Sequence, residues 1–160
     1  MKLSLIVPCY NEAGNVRAFY DAAAAAFAPE SFSYEMIFVD DGSRDGTMDA
    51  LAALYALDPA RVRVISFSRN FGKESAIFAG LKAAHGDCAA LIDADLQQQP
   101  EVVVQMIHIL REKPECDCVV AYQDKRHESH MMTALKKGFY RTINRMSEVP
   151  FHENASDFRC

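Results

Sequence analysis

The chain has no long hydrophobic run, little glycine and little proline. Its longest fully apolar stretch covers residues 22–28, far short of the ~18 residues that suggest a membrane-spanning helix. Seven glycines and six prolines, in a chain of 160 residues that is 50% hydrophobic, exclude collagen-like, low-complexity and disordered classes. Because about 100–200 residues usually form one core, we expect a single domain over residues 1–160, without a transmembrane helix.

Signature motifs of several other protein classes are also missing. The sequence contains neither a Gly-rich dinucleotide-binding turn nor a P-loop. Its five cysteines form no CxxC pair, and no histidine lies at zinc-ligand spacing. We therefore expect reduced structural thiols of a cytosolic compartment, and we set aside dinucleotide-dependent enzymes.

The acidic net charge of −5 is unevenly distributed along the chain. Between positions 125 and 145, six basic residues stand against one acidic residue, a local charge of +5, so the remainder carries −10. An acidic body does not attract polyanions, and we predict no nucleic-acid partner. The basic segment needs a separate explanation.

Apolar runs of strand length alternate with longer segments of helical period. The predicted strands are residues 3–7, 35–40, 61–66, 88–93 and 118–122, and the predicted helices are residues 15–27, 45–57, 73–85 and 100–112. This alternation favours an α/β fold with a mostly parallel sheet, helices on both faces and right-handed crossovers.

Acidic and polar side chains follow three of the predicted strands. The segments are residues 8–12, 40–43 and 93–97, and together they carry five Asp or Glu side chains. Ligands of parallel sheets bind beyond the carboxyl ends of the strands. Because clustered carboxylates need a counter-charge, we expect a cation-dependent ligand site at this edge of the sheet.

Asp93 and Asp95 are two residues apart. If the fourth strand continued through them, both side chains would project to the same side and could converge on one cation. Carboxylate oxygens suit Mg²⁺ or Mn²⁺, and Mg²⁺ commonly keeps water and substrate phosphate in the rest of its shell. The alternative is a solvated strand end followed by a helix cap, since Asp is common at turns.

Asp40 and Asp41 also permit two interpretations. They could form a turn that leads into a helix capped by Ser43 or Asp45. Alternatively, a carboxylate at the end of a buried strand could accept hydrogen bonds from the N–H groups of uracil or guanine, with Tyr10 against the base. The residues by themselves leave both interpretations open.

Four motifs, taken together, resemble family 2 glycosyltransferases. They are residues 7–12 (VPCYNE), 39–47 (VDDGSRDGT), 69–73 (RNFGK) and 93–100 (DADLQQQP). Within that family the chain looks most like the dolichol-phosphate mannosyltransferase and bactoprenol (undecaprenyl-phosphate) glucosyltransferase group. The similarity runs over essentially all 160 residues.

The resemblance implies the Rossmann-like nucleotide-diphospho-sugar transferase (GT-A) fold and a dependence on Mg²⁺ or Mn²⁺. It further implies an enzyme that transfers a hexose, with inversion, from a nucleotide sugar of the UDP-glucose or GDP-mannose type. The acceptor would be a polyprenyl phosphate at the cytoplasmic face of the membrane, in cell-envelope or glycan biosynthesis. Transfer to a saccharide hydroxyl, or nucleotide-sugar binding without catalysis, are the alternatives.

The resemblance also assigns roles to individual residues. The nucleotide- and donor-binding set comprises Pro8, Tyr10, Glu12, Val39, Asp41, Asp93 and Ala94. The metal and diphosphate set comprises Asp93, Asp95 and Gln97. Near the end of the chain, Asp157 matches the Asp of the family's Asp-Phe-Arg segment, close to the reacting sugar, so Asp95 and Asp157 are the expected catalytic residues.

Two features depart from the family pattern. Asp124 occupies the position where the family often has an arginine for the donor phosphates, with Lys125 and Arg126 beside it, so the residue that makes this contact stays open. Family members usually continue well past the Asp-Phe-Arg segment, commonly into two transmembrane helices. We therefore expect a chain shortened at its carboxyl end, whose full-length form is anchored in the membrane.

Residues 128–146 carry an apolar stripe at helical spacing, flanked by basic side chains. The stripe consists of Met132, Leu135, Phe139, Ile143 and Met146. Such a helix could lie among lipid headgroups with its cations toward anionic lipid, and the alternative is an ordinary surface helix. We expect contact with a membrane surface, and a homo-oligomer is left open.

Overall fold

The computed structural model describes residues 1–122 and 155–160. In chain order the elements are β1 (Lys2–Cys9), α1 (Val16–Phe27), β2 (Ser33–Asp40), α2 (Thr47–Leu57), β3 (Val62–Ser66), α3 (Lys73–Ala83), β4 (Cys88–Leu91), α4 (Pro100–Glu112), β5 (Val120–Tyr122) and β6 (Ala155–Arg159). The predicted alternation of strands and helices is confirmed.

The strand order of the sheet is β3-β2-β1-β4-β6-β5. β1 pairs in parallel with β2 on one side and with β4 on the other, and β2 pairs in parallel with β3. The carboxyl ends of these four strands therefore meet at one edge. β6 pairs antiparallel with β4 through Leu91 and Arg159, so the sheet is mostly parallel and the predicted α/β class is confirmed.

Helices cover both faces of the parallel strands. Phe19 of α1 packs edge-on against Phe38 of β2, with 6.1 Å between the ring centroids. Ile37 and Val39 flank Phe38 along β2, so they face the opposite side, where they form a buried cluster with Ala76 of α3. Burial on both faces explains the continuous apolar runs at the centres of β1 and β2.

Two details of the sheet differ from the sequence-based expectation. β4 ends at Leu91, so the predicted extension of this strand to Asp93 is wrong. β6 falls where no strand is predicted. Both differences arise because pairing with distant segments decides where β4 ends and where β6 forms. The local sequences of these two strands do not indicate that pairing.

Contacts divide the chain into two compact units, residues 1–119 with 158–160 and residues 120–157. The first unit contains β1 to β4 and all four helices of the described ranges. Within those ranges, no helix is long and apolar enough to cross a bilayer. Positions 124–126 and the basic segment 128–146 lie outside the described residues, so the expectations about them stay predictions.

Candidate functional site

A cavity of about 340 Å³ opens at the carboxyl ends of β1, β2 and β4, within the first unit. Its wall is formed by Pro8, Cys9, Tyr10, Glu12, Asp41, Asn70, Gly72, Lys73, Ala76, Asp93, Ala94 and Asp95. Three predicted strand exits and the loop before α3 therefore meet here. Seven of the residues that the sequence assigned to donor or metal binding line this one cavity.

The exits of β1 and β2 are joined by side-chain hydrogen bonds. The Asn11 backbone N–H donates to Ser43 Oγ at 2.9 Å, and the Arg44 N–H donates to Asn11 Oδ1 at 2.9 Å. Asn11 adopts a left-handed backbone with φ of 57°, a conformation that Asn tolerates better than most residues. The Glu12 N–H donates to Thr47 Oγ1 at 2.8 Å. These bonds fix the backbone on which Tyr10 and Glu12, the cavity residues on either side of Asn11, are placed.

Asp41 is buried and connects the exit of β2 to the loop before α3. Its Oδ1 accepts the Phe71 N–H at 2.7 Å, and its Oδ2 accepts the Gly72 N–H at 2.9 Å. Gly42 allows this contact, because a Cβ at its φ of 67° would lie 2.6 Å from Arg69 Cα. Asp41 therefore forms part of the cavity wall and also fixes the backbone that leads into α3.

Asp40 has a different role from its neighbour. Its Oδ1 accepts the Ser43 N–H and its Oδ2 accepts the Ser66 hydroxyl, both at 3.1 Å. The turn interpretation therefore describes Asp40, whereas Asp41 faces the cavity. Neither Ser43 nor Asp45 occupies the cap position, because α2 begins after Gly46, but Asp45 Oδ1 accepts the N–H of Thr47, the first residue of α2, at 2.9 Å.

The exit of β4 places two carboxylates in the cavity although the strand has already ended. The Asp93 N–H donates to Gln98 Oε1 at 3.2 Å, and Asp95 Oδ1 accepts the Gln97 N–H at 3.0 Å. Leu96 turns the chain with a φ of 60°. Both Asp93 and Asp95 line the cavity, so a tight turn brings them there rather than the strand alternation that the sequence suggested.

Lys73 is a cavity residue to which the sequence analysis gave no role. Its Nζ lies 2.8 Å from Oδ1 and 2.9 Å from Oδ2 of Asp93. The only signal in the sequence is its place at the end of the RNFGK motif, as the first residue of the predicted helix. The expected counter-charge of the acidic exits is therefore supplied, for Asp93, by the protein itself.

The buried thiol of Cys9 responds to the negative charge around the cavity. Burial, followed by the charges of Glu12, Asp40 and Asp93, raises the pKa of this thiol far above its usual range. Cys9 therefore stays a neutral thiol, with Sγ 3.5 Å from the Val7 carbonyl oxygen. Glu12, Asp40 and Asp93 thus place negative charge around this thiol.

Three of the predicted site residues do not line this cavity. Val39 is fully buried in the cluster beneath α3. Gln97 is exposed beyond Asp95. Asp157 belongs to β6, and its side chain is outside the described part of the structure. The binding or catalytic roles expected of these residues stay predictions.

A second cavity of about 360 Å³ shares Tyr10 and Asn70 with the first. Its other lining residues include Asp40, Ser43, Arg44, Ser66, Phe67 and Arg69. Tyr10 is 44% exposed and contributes to both walls. Its ring is therefore accessible to a planar ligand at the border between the two cavities.

Residues 4–159 match the family model described as Glycosyl transferase family 2. The chain is 38% identical over 160 residues to the prophage bactoprenol glucosyl transferase homolog of Escherichia coli (strain K12), and 37% identical over 160 residues to the bactoprenol glucosyl transferase of Shigella phage SfV. Each comparison covers 99% of this chain and 51% of the relative. The chain thus spans about half the length of these curated relatives.

Among solved structures, the chain is similar to the mannosyltransferase PcManGT from Pyrobaculum calidifontis, in complex with GDP-Man and Mn²⁺. The TM-score is 0.64 at 24% sequence identity, over 76% of this chain and 35% of that chain. At this level of identity the likeness shows the fold alone. The predicted GT-A fold is confirmed.

Proposed function

The chain belongs to glycosyl transferase family 2, and we propose that the full-length protein transfers a hexose from a nucleotide sugar to a polyprenyl phosphate. The donor is of the UDP-glucose or GDP-mannose type, the anomeric configuration is inverted, and the reaction takes place at the cytoplasmic face of the membrane. The observation that carries this proposal is the match over 99% of the chain to relatives named for bactoprenol glucosyl transfer.

The cavity offers suitable partners for the nucleoside end of the donor. Tyr10 presents an accessible aromatic ring on which a base can stack. Both carboxylate oxygens of Asp41 already accept one backbone N–H each, and each keeps a second lone-pair direction for an N–H of uracil or guanine. The protein therefore presents Asp41 in a fixed orientation before the nucleotide arrives.

The exit of β4 fits a divalent metal. Asp93 and Asp95 offer carboxylate oxygens in the cavity, the ligand type that Mg²⁺ and Mn²⁺ prefer. Within the described ranges, no group of three or more His, Cys, Asp or Glu side chains could hold a metal ion, so the remaining ligands of the ion would have to come from the diphosphate and water. Asp93 and Asp95 would hold the ion, with Gln97 as a further candidate. When bound, the ion would neutralise the charge on the departing nucleoside diphosphate.

The acceptor requires positioning more than proton removal. The second pKa of a phosphate monoester is about 6, so at neutral pH the acceptor is largely ionised and its oxygen can attack the anomeric carbon directly. That attack, opposite the departing diphosphate, forms one C–O bond as the other breaks. Asp157 would orient the acceptor, or act as the base if the acceptor were a hydroxyl.

Calorimetry with UDP and GDP, in Mn²⁺ and in EDTA, tests the donor assignment directly. We expect Mn²⁺-dependent binding, because four carboxylates in the wall repel a diphosphate that arrives without a cation. We also expect one of the two nucleotides to be clearly preferred. Equal affinity in EDTA for every nucleotide would refute the metal–diphosphate assignment. For the full-length protein, the acceptor is tested by measuring hexose transfer to a polyprenyl phosphate and to a saccharide. Transfer to the polyprenyl phosphate alone supports the proposed acceptor.

Replacing Asp95 with alanine separates binding from folding. Asp95 is half-buried and accepts one local backbone hydrogen bond, so we expect the free energy of unfolding to change by less than about 1 kcal/mol. Mn²⁺-dependent nucleotide binding should be lost. Asp117→Ala, at an exposed position outside the cavity, is the control and should retain binding. An Asp95→Ala chain that binds normally would contradict the assignment.

A further inference from the structure

The ion pair between Lys73 and Asp93 occupies the part of the cavity where the proposed reaction needs a metal and a diphosphate. We propose that Lys73 is an exchangeable counter-ion: it neutralises Asp93 in the absence of metal, and it moves to the donor diphosphate when a metal ion takes Asp93. This inference rests on the proposed function and deepens it, because it assigns a phosphate-binding cation within the described residues.

The geometry of the pair favours such an exchange. Lys73 Nζ contacts both carboxylate oxygens of Asp93, at 2.8 and 2.9 Å, so one ammonium group lies against both of the atoms that would bind the metal. A divalent ion on either oxygen would lie beside the ammonium, and two cations at that separation repel each other. The side chains of Lys73 and Asp93 are 41% and 32% exposed, so the ammonium group has room to leave.

The backbone of Lys73 is held firmly, although its side chain is long. The preceding residues Phe71 and Gly72 donate their N–H groups to the buried carboxylate of Asp41. Gly72 adopts a φ of 97°, which glycine reaches without strain. The Cα of Lys73 is thus tied to the predicted base-binding residue, and the four-carbon stem is the part that can swing between partners.

The stability of α3 does not account for a lysine at this position. Lys73 is the first residue of α3, where the helix dipole is positive and a cation is unfavourable. A phosphate at the same place would be favoured both by the dipole and by the ammonium group. Lysine binds phosphate as a point charge on a flexible stem, and Lys73, Asp93 and Asp95 all line the same 340 Å³ cavity.

An exchange predicts opposite effects on two ligands. Lys73→Met keeps most of the length of the side chain and removes its charge. Mn²⁺ alone should bind about twofold to fivefold more tightly, because it no longer competes with an ammonium group on Asp93. UDP or GDP at saturating Mn²⁺ should bind on the order of tenfold more weakly, because a charge-assisted hydrogen bond to the phosphates is lost. A residue with a purely structural role would not shift the two affinities in opposite directions.

The test consists of two titrations of the 160-residue chain. Binding of Mn²⁺ alone is monitored by electron paramagnetic resonance, and binding of UDP and GDP at saturating Mn²⁺ is measured by calorimetry. Lys82→Met is the matched control, because Lys82 lies in the last turn of the same helix, with Nζ 4.8 Å from the centroid of the Phe78 ring, and does not line the cavity. Lys73→Arg retains the charge and should restore most of the nucleotide affinity.

The outcomes separate this proposal from the one on which it rests. Opposite shifts in Lys73→Met, absent in Lys82→Met, support the exchange. If the unchanged chain requires Mn²⁺ for nucleotide binding but Lys73→Met matches it in both titrations, the exchange is refuted and the proposed function stands. If the unchanged chain binds nucleotides equally well in EDTA, the proposed metal site and the exchange both fail.

Discussion

Glu35 is a buried carboxylate near the start of β2, far along the strand from the cavity. Its Oε1 accepts the Ser4 hydroxyl at 2.7 Å and the His85 backbone N–H at 2.8 Å, and its Oε2 lies 3.1 Å from Lys2 Nζ. Burial alone would raise the pKa of Glu35, but the hydrogen bonds from Ser4, His85 and Lys2 outweigh it and lower the pKa below its usual value. The ionised form is therefore part of the folded structure.

Glu35→Gln should destabilise the protein at pH 7 by about 1–2 kcal/mol, since the amide keeps an acceptor for the two hydrogen bonds but loses the charge opposite Lys2. Because the folded-state pKa is lowered, the contribution of the charge is complete above the unfolded pKa of about 4.3 and is lost as the pH falls through the folded value. Guanidinium unfolding at pH 7 and at pH 4 should show the difference narrowing in acid. A difference that grows in acid would contradict this account.

The buried Cys9 should be far less reactive than the exposed Cys118. Its buried position and the negative charges near it keep it protonated, and the thiolate is the reactive form. Alkylation with N-ethylmaleimide at pH 7.5, mapped by mass spectrometry, should modify the exposed Cys118 about ten times faster than Cys9, or more. Equal rates in the folded protein would show that Cys9 is accessible to the reagent or that the nearby negative charges do not keep its thiol protonated. As a control, unfolding in guanidinium should make the two rates similar.

At the scale of secondary-structure elements, the candidate site depends on two loops whose backbones touch. Gly42 follows β2 with a φ of 67°, and a Cβ there would lie 2.6 Å from Arg69 Cα and 2.7 Å from Asn70 N. Only glycine fits both the conformation and the space. The residues before α3 can therefore reach Asp41 only while position 42 has no side chain.

Gly42→Ala should lower the free energy of unfolding by about 2 kcal/mol or more, because the backbone of the second loop must move. Nucleotide binding should weaken together with stability, since Asn70 and Gly72 line the cavity. Gly14→Ala is the control, because a Cβ at Gly14 meets no atom within 4 Å and its backbone is not left-handed. Thermal unfolding and calorimetry of both variants test this, and equal stability of the two would refute it.

The secondary structure shows where local patterns sufficed. The helix from Pro100 to Glu112 has the predicted bounds, because a first-turn proline and an apolar face of period 3.6 are local signals. The end of β4 at Leu91 was missed, since the apolar pattern continues to the buried Ile92 while the pairing register ends earlier. β6 was missed because its short polar sequence becomes a strand by pairing beside β4.

At the scale of the whole molecule, the basic segment 128–146 concerns how the protein meets its proposed acceptor. A polyprenyl phosphate stays in the bilayer, so the proposed metal site would have to come to the headgroups. Each basic side chain near an anionic surface contributes on the order of 1 kcal/mol, so Lys136, Lys137, Arg141 and Arg145 should give weak, salt-sensitive attachment.

Liposome flotation measures this attachment. We expect the chain to float with vesicles that contain anionic lipid at low salt, and to float less with neutral vesicles or at high salt. A variant with Lys136→Glu and Lys137→Glu should lose most of the effect. If the unchanged chain floats no better than this variant, the segment is an ordinary surface helix or another structure without membrane affinity.

The sequence by itself determined the α/β alternation, the family and the three acidic strand exits, because hydrophobic period, turn residues and short motifs are local properties of the chain. The tertiary structure decided which groups act at those exits. Asp40 and Asp41 look equivalent in the sequence, but only the side chain of Asp41 accepts the Phe71 N–H, 30 residues away in the chain. Lys73 meets Asp93 across 20 residues, because parallel pairing and helix packing bring distant segments to one edge, and no local pattern encodes that contact.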